Sequence, residues 1–232
     1  RLGKDNQIFA RTGESYLNFR NLTLTDDLSF GLKIGRFDIP FGEEYLQQDA
    51  IDNPLITTSA AYPYGWDEGL LLYGSLGPVD WIAAVTDGTD DRSLEDNPEK
   101  AWNLKLYGTP TESTYLSLSL MKNGDSAESG LEFGGSHFQP VGSEHNSTLA
   151  DSGSRTVDAV LAELDGRYSF ELSDSLSGHL ALAIGVASVE DIDPVFDRDL
   201  RWLSIEPLLS FSRQWYLAAR YSEIGTYDSA AG

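Results

Sequence analysis

Three sets of residues have the types and spacing that chemistry could use. "DGTDDRSLEDNPE" (Asp87–Glu99) gathers hard oxygen donors of the kind calcium takes. It lacks the EF-hand spacing, with no glycine at the sixth loop position and no fitting glutamate at the twelfth, so it reads as an acidic, solvated loop. Glu163 and Glu206 are the residue types of a glycosidase acid and base. Both fall in mid-strand on a polar face, where an acid needs no catalytic explanation. His179 is the one histidine on a strand, and no nucleophile elbow lies near it. His137 and His145 sit in a Gly/Ser-rich stretch without zinc-like spacing. Cysteine is absent, which excludes thiolate nucleophiles, disulfides and cysteine metal sites. The expectation is a chain that is not an enzyme, with no catalytic residues, metal or cofactor.

The third set is different in kind. Lys33, Lys105, Glu163, Arg167, Glu171, Glu206 and Arg220 all fall on the polar parity of alternating segments. Mixed charge repeated at period two describes a wetted wall, and its chemistry is the handling of ions and solutes. What must position such a wall is a set of strands with one apolar and one polar face. "TYLSLSLMK" places Leu116, Leu118 and Leu120 on one side, and Tyr115, Ser117 and Ser119 on the other. "GRYSFELSDSLSGHLALAIGV" (Gly166–Val186) does the same on both arms of a hairpin around a polar turn.

Period-two alternation recurs along the whole chain, and helical periodicity appears almost nowhere. About ten strands are expected, the first near Tyr16–Leu24 and the last near Trp215–Ser222. Short turns ("TDD", "GPVD", "TPTES", "SDS", "SRQ") alternate without exception with long connections (Gly42–Gly69, Asp87–Lys100, Lys122–Thr156, Glu190–Leu200). A soluble sandwich has no reason to sort its loops by length to opposite ends. An outer-membrane barrel does, with short periplasmic turns and long extracellular loops. Aromatic residues beside the short turns (Trp81, Tyr115, Tyr168, Phe170, Phe211, Trp215) fit an interfacial girdle. The fold expected is all-β, an antiparallel transmembrane β-barrel, with residues 1–232 as one domain. Strands one and ten both end on the long-loop side, so the barrel is expected to be incomplete at both ends, with twelve strands or more.

Composition is compatible with this. Mean hydropathy is −0.28, and no apolar run reaches the roughly 18 residues of a membrane helix. Barrel strands need only about ten alternating residues each and look soluble by hydropathy. A net charge of −21 argues against nucleic acid as a partner, because phosphates would be repelled.

"GRFDIPFGEEYL" (Gly35–Leu46) follows the second strand. It resembles the segment G-x-F-x-x-P-F-G-x-E of porins of the phosphate-selective O and P type and related bacterial barrels, through Gly35, Phe37, Pro40, Phe41, Gly42 and Glu44. "DNPLITTSAAYPYGWDEGLLLYG" resembles their next stretch, in which a loop folds back before a strand. The likeness covers about 50 residues and implies a Gram-negative outer-membrane porin, a diffusion channel carrying out ion transport. It also implies a basic lining, which this mixed set of charges does not supply.

Physical reasoning gives this stretch its own role. Pro40 cannot donate to a ladder, and Gly42 permits a sharp turn. The segment after it is too apolar for a solvated tip, so Pro54, Tyr62, Tyr64, Trp66 and Asp67 are expected to form a constriction at the barrel mouth. The acids of the long loops (among them Glu43, Glu44, Asp49, Asp67, Glu68, Asp87, Asp90 and Glu99) would make that mouth acidic and attract cations. The same acids could equally bridge divalent ions to lipopolysaccharide. The expected function is passive diffusion of small hydrophilic solutes or ions, with the lipid bilayer and lipopolysaccharide as surroundings and a homo-trimer as the common porin assembly. One alternative is a structural sheath around a multihaem cytochrome, whose haems would all come from the partner since this chain has no Cys-x-x-Cys-His site. Another is a soluble carbohydrate-binding β-sandwich.

Overall fold

The computed structural model describes residues 14–25, 28–43, 66–87, 100–127, 156–173, 175–191, 198–211 and 215–227. Within them lie eleven strand segments: β1 (Ser15–Thr25), β2 (Leu28–Asp38), β3 (Trp66–Leu76), β4 (Val79–Thr86), β5 (Ala101–Thr111), β6 (Thr114–Ala127), β7 (Thr156–Ser173), β8 (Leu176–Asp191), β9 (Arg198–Ser210), β10 (Tyr216–Ala218) and β11 (Tyr221–Tyr227). From β1 to β10 each strand pairs with the next in sequence, β11 pairs with β9, and every pairing is antiparallel. No helix occurs among the described residues. This is the meander that the hairpin pattern predicts. Closure into a barrel is not part of it: among the described residues β1 and β11 do not pair.

The tenth strand expected over Trp215–Ser222 is instead two segments in one register. Ala218 faces Leu208 and Tyr221 faces Ile205, so Ala219 stands opposite Pro207. The Ala219 amide donates to the Pro207 carbonyl at 3.1 Å. Pro207 has no N–H to return the bond, so the ladder breaks there. The third strand also begins earlier than expected, at Trp66, because Trp66 and Asp67 pair in register with Asp38 and Phe37.

The sheet is strongly curled. Register aligns Gly31 of β2 with Ser119 of β6 through Tyr73, Ile82 and Lys105. Asp38 lies seven residues beyond Gly31, so in a flat sheet Asp38 and Ser119 would be about 30 Å apart, at about 4.8 Å per strand and about 3.4 Å per residue. Four residues after Asp38 span about 14 Å at most. Yet the Gly42 amide, at that distance along the chain, donates to Ser119 Oγ at 3.0 Å. Only a curled sheet, concave on the Ser119 side, brings the two together.

The two faces are inverted relative to a water-soluble sheet. Trp102, Leu104 and Leu106 of β5, Leu116, Leu118 and Leu120 of β6, and Leu180, Leu182, Ile184 and Val186 of β8 are exposed on the convex side. Asn103, Lys105, Ser117, Ser119, Glu163, Asp165, Ser204 and Glu206 are buried on the concave side. Leu164 is 56% exposed, while Lys105 is 0% exposed. Tyr168, Phe211 and Trp215 are exposed beside short turns. Tyr115, also expected beside a short turn, is not exposed with them. It shares the parity of Ser117, and its buried ring lies under Arg167, 5.4 Å from the guanidinium carbon.

Candidate functional site

The concave face holds a short segment of the chain against it. β2 stops at Asp38, two residues before Pro40, where the backbone can no longer donate to β3. A tight turn then closes around the proline, with the Phe41 amide donating to the Ile39 carbonyl at 2.9 Å. Gly42 has φ of +70°, a conformation that favours glycine. These features turn residues 39–43 off the wall and across the concave face. Ile39 and Phe41 bury themselves among Ala101, Met121, Ala159, Leu161, Ala187, Leu200 and Trp202, contributed by β5 to β9.

The wall grips the backbone of this segment at both ends of Gly42. Ser119 Oγ accepts from its amide at 3.0 Å, and Lys105 Nζ donates to its carbonyl at 2.6 Å. Lys105 also donates to Ser117 Oγ at 3.1 Å, and Ser117 donates to Asp165 Oδ2 at 2.8 Å. Glu43 ends the segment in an ion pair with Arg167 of β7 at 2.9 Å. Burial pushes the Glu43 carboxyl above its ordinary range, and Arg167 only partly offsets this. Below the clamp, Trp202 lies across Gly185, where a Cβ would meet its ring at 1.9 Å. That close approach aims Nε1 at Glu163 Oε2, 2.5 Å away. Arg220 donates to Glu206 with Nε at 2.7 Å and Nη2 at 2.6 Å.

The charged residues picked out by parity therefore all lie on β2, β5, β7, β9 and the β10–β11 junction, and most are engaged. Lys105, Glu163, Arg167, Glu206 and Arg220 each have a fixed partner. Glu171 is exposed near the β7–β8 turn. Lys33 stands apart, its ammonium 4.4 Å above the Tyr16 ring. Glu163 and Glu206, on β7 and β9, are separated by four residues of register, about 13 Å along the strand direction.

Of the expected constriction, Pro54, Tyr62 and Tyr64 lie outside the described residues. Trp66 and Asp67 belong to β3, with Asp67 buried and its Oδ1 accepting from the Glu68 amide at 2.9 Å. The described part that does turn inward is 39–43, which begins three residues before the predicted segment. Sequence reading missed the two serines as anchors and Trp202 as a bridge. Both had a signal: Ser119 stands opposite Lys105 with Ser117 two residues along on the same face, and Trp202 is a large ring on the polar parity, opposite a glycine.

At the long-loop ends, Arg36 pairs with Glu68 at 2.9 Å and Lys100 with Asp87 at 3.0 Å. No protein-family model, curated protein or solved structure matches the chain.

Proposed function

We propose that the chain forms an outer-membrane β-barrel pore for small hydrophilic solutes and ions, a porin-like protein as the Gly35–Glu44 resemblance implies. The observation that carries this reading is the inversion of the sheet: exposed leucine, isoleucine, valine and tryptophan on the convex face, with buried lysine, glutamate, aspartate and serine on the concave face. Water is the wrong solvent for such a convex surface, since burying each Leu side chain is worth about 2 kcal/mol. Lipid is the right one, provided the strands close so that no ladder is left unpaired. Strands of 11 residues, as in β1, β2 and β3, match the roughly 9–11 that a tilted membrane strand needs. The 39–43 segment narrows the passage from within, and the acidic loops bias its mouth toward cations.

The test is conductance of the detergent-purified full-length protein in a planar bilayer under a salt gradient. The expected result is discrete current steps with a reversal potential of the cation-selective sign. Solubility in plain buffer without detergent, with no insertion, would overturn the proposal. Insertion without current would replace the pore with the cytochrome sheath.

A further inference from the structure

Away from the clamp, the concave face of β1 to β4 carries a hollow of about 630 Å³. We infer that it is a binding subsite for a small organic monoanion built on a flat ring, of the benzoate class. The inference rests on the reading of this face as solute-accessible. Tyr16, Tyr73 and Tyr107 contribute ring surfaces to the hollow, and Arg20, Lys33 and Asp80 contribute charge.

Four observations support it. The first is the charge balance. Among the described residues the lining carries two cations and one carboxylate, a balance of +1 in a chain whose net charge is −21. Asp80 is occupied, hydrogen-bonded to Ser75 Oγ, while among the described residues neither Arg20 nor Lys33 has a carboxylate partner. This contrasts with Lys105, Arg167 and Arg220, all tied to fixed acceptors. A guanidinium and an ammonium lining one hollow, neither held by a carboxylate among the described residues, suit one carboxylate.

The second is a backbone device. β1 carries a register shift between Phe19 and Leu22, and Asn21 within it has φ of +56°. Successive residues of a regular strand face opposite sides. Here the bulge lets Arg20 and Asn21 both line the hollow. A non-glycine residue held at positive φ is strained, and such strain concentrates at binding sites.

The third is the hydrogen-bonding set. The Tyr73 hydroxyl donates to Asn18 Oδ1 at 2.9 Å, which fixes the side chain of a second lining residue, the register partner of Lys33. The fourth is that Gly31 has no side chain where the Tyr73 ring lies across it, so the ring is held flat against the wall as a platform. Edge-on or offset contact with a second ring is favourable there. The volume is within the range of small-molecule sites.

The test is saturation-transfer NMR on the full-length protein in detergent, with empty micelles as blank and sodium benzoate as probe. Benzyl alcohol supplies the ring without charge, and inorganic phosphate, as competitor, supplies charge without the ring. The expected result is saturable benzoate binding, with benzyl alcohol and phosphate each at least about tenfold weaker. Arg20→Ala and Lys33→Ala should each weaken benzoate by about tenfold, Lys33→Arg by less than about threefold, and Asp80→Asn should tighten it. Lys33→Arg keeps the test decisive if an alanine variant fails to fold. Benzoate signal no greater than in micelles, equal binding of either control, or indifference to both Arg20→Ala and Lys33→Ala would overturn the inference. Binding is read in detergent without any current, so a protein that binds benzoate but does not conduct would sink the pore and spare the subsite.

Discussion

The two halves of the concave wall use the same kinds of residue to opposite ends. On β5 to β9, lysine, arginine and the acids are spent on one another, on two serines and on the backbone of residues 39–43. On β1 to β4, Arg20 and Lys33 face an open hollow beside three tyrosines. A charge with a fixed partner organises structure, and a charge without one is available to a solute. Parity alone assigns both kinds to the same wall; only partners tell them apart.

That distinction predicts that variants in the filled half change stability, whereas variants in the hollow change binding. The largest effect is expected from Lys105→Ala. It removes a buried cation from between the Gly42 carbonyl and Ser117, leaving that carbonyl without its donor. The expected loss is about 3 kcal/mol in urea unfolding from detergent, accompanied by a rise in single-channel conductance as residues 39–43 come free. Next is Gly185→Ala, whose methyl must displace the Trp202 indole from Glu163, at about 2 kcal/mol by the same assay.

Arg167 and Glu43 sharpen the contrast because their effects should differ. Arg167→Ala leaves the buried Glu43 carboxylate without its cation, and about 1–2 kcal/mol should be lost at neutral pH. Glu43→Gln should cost less than this or be neutral. The reason is the raised pKa of Glu43: the folded protein binds this proton more tightly than the unfolded chain does. From this group, stability therefore falls as pH rises from the ordinary carboxylate pKa through the raised one, and is recovered on acidification. Unfolding midpoints of wild type and Glu43→Gln between pH 4 and 7 would show it as a difference that shrinks toward acid. The smallest stability effect is expected in the hollow, where Tyr73→Phe releases Asn18 for about 0.5–1 kcal/mol. If Lys33→Ala instead destabilised the protein as much as Lys105→Ala, the contrast between the halves would collapse.

Most of the sheet was legible because it is written in period two. Leu116, Leu118 and Leu120 announce one face, and Ser117 and Ser119 the other, whatever the solvent outside. Breaks set by backbone chemistry were partly legible. Pro40, which has no N–H to donate, and Gly42, which is free to take a positive φ, end β2 and turn the chain. Pro207 does the same to its neighbour, which local reading of Trp215–Ser222 does not reveal because the missing donor belongs to another strand. The partners of the clamp were not legible, since Glu43 and Arg167 meet only through the curl of the sheet. Tyr115 shows the limit of reading by proximity to a turn, for its parity, not its neighbourhood, decides that it faces inward.

The grip on Gly42 has one further consequence. Ser119 and Lys105 hold an amide and a carbonyl, groups that every residue except proline possesses, so these two bonds read backbone and not side chain. The wall acts as a socket and the loop as an exchangeable insert. In the pore proposed above, a designer could rewrite the sequence beyond Glu43 while Pro40, Gly42 and the two wall residues keep residues 39–43 anchored.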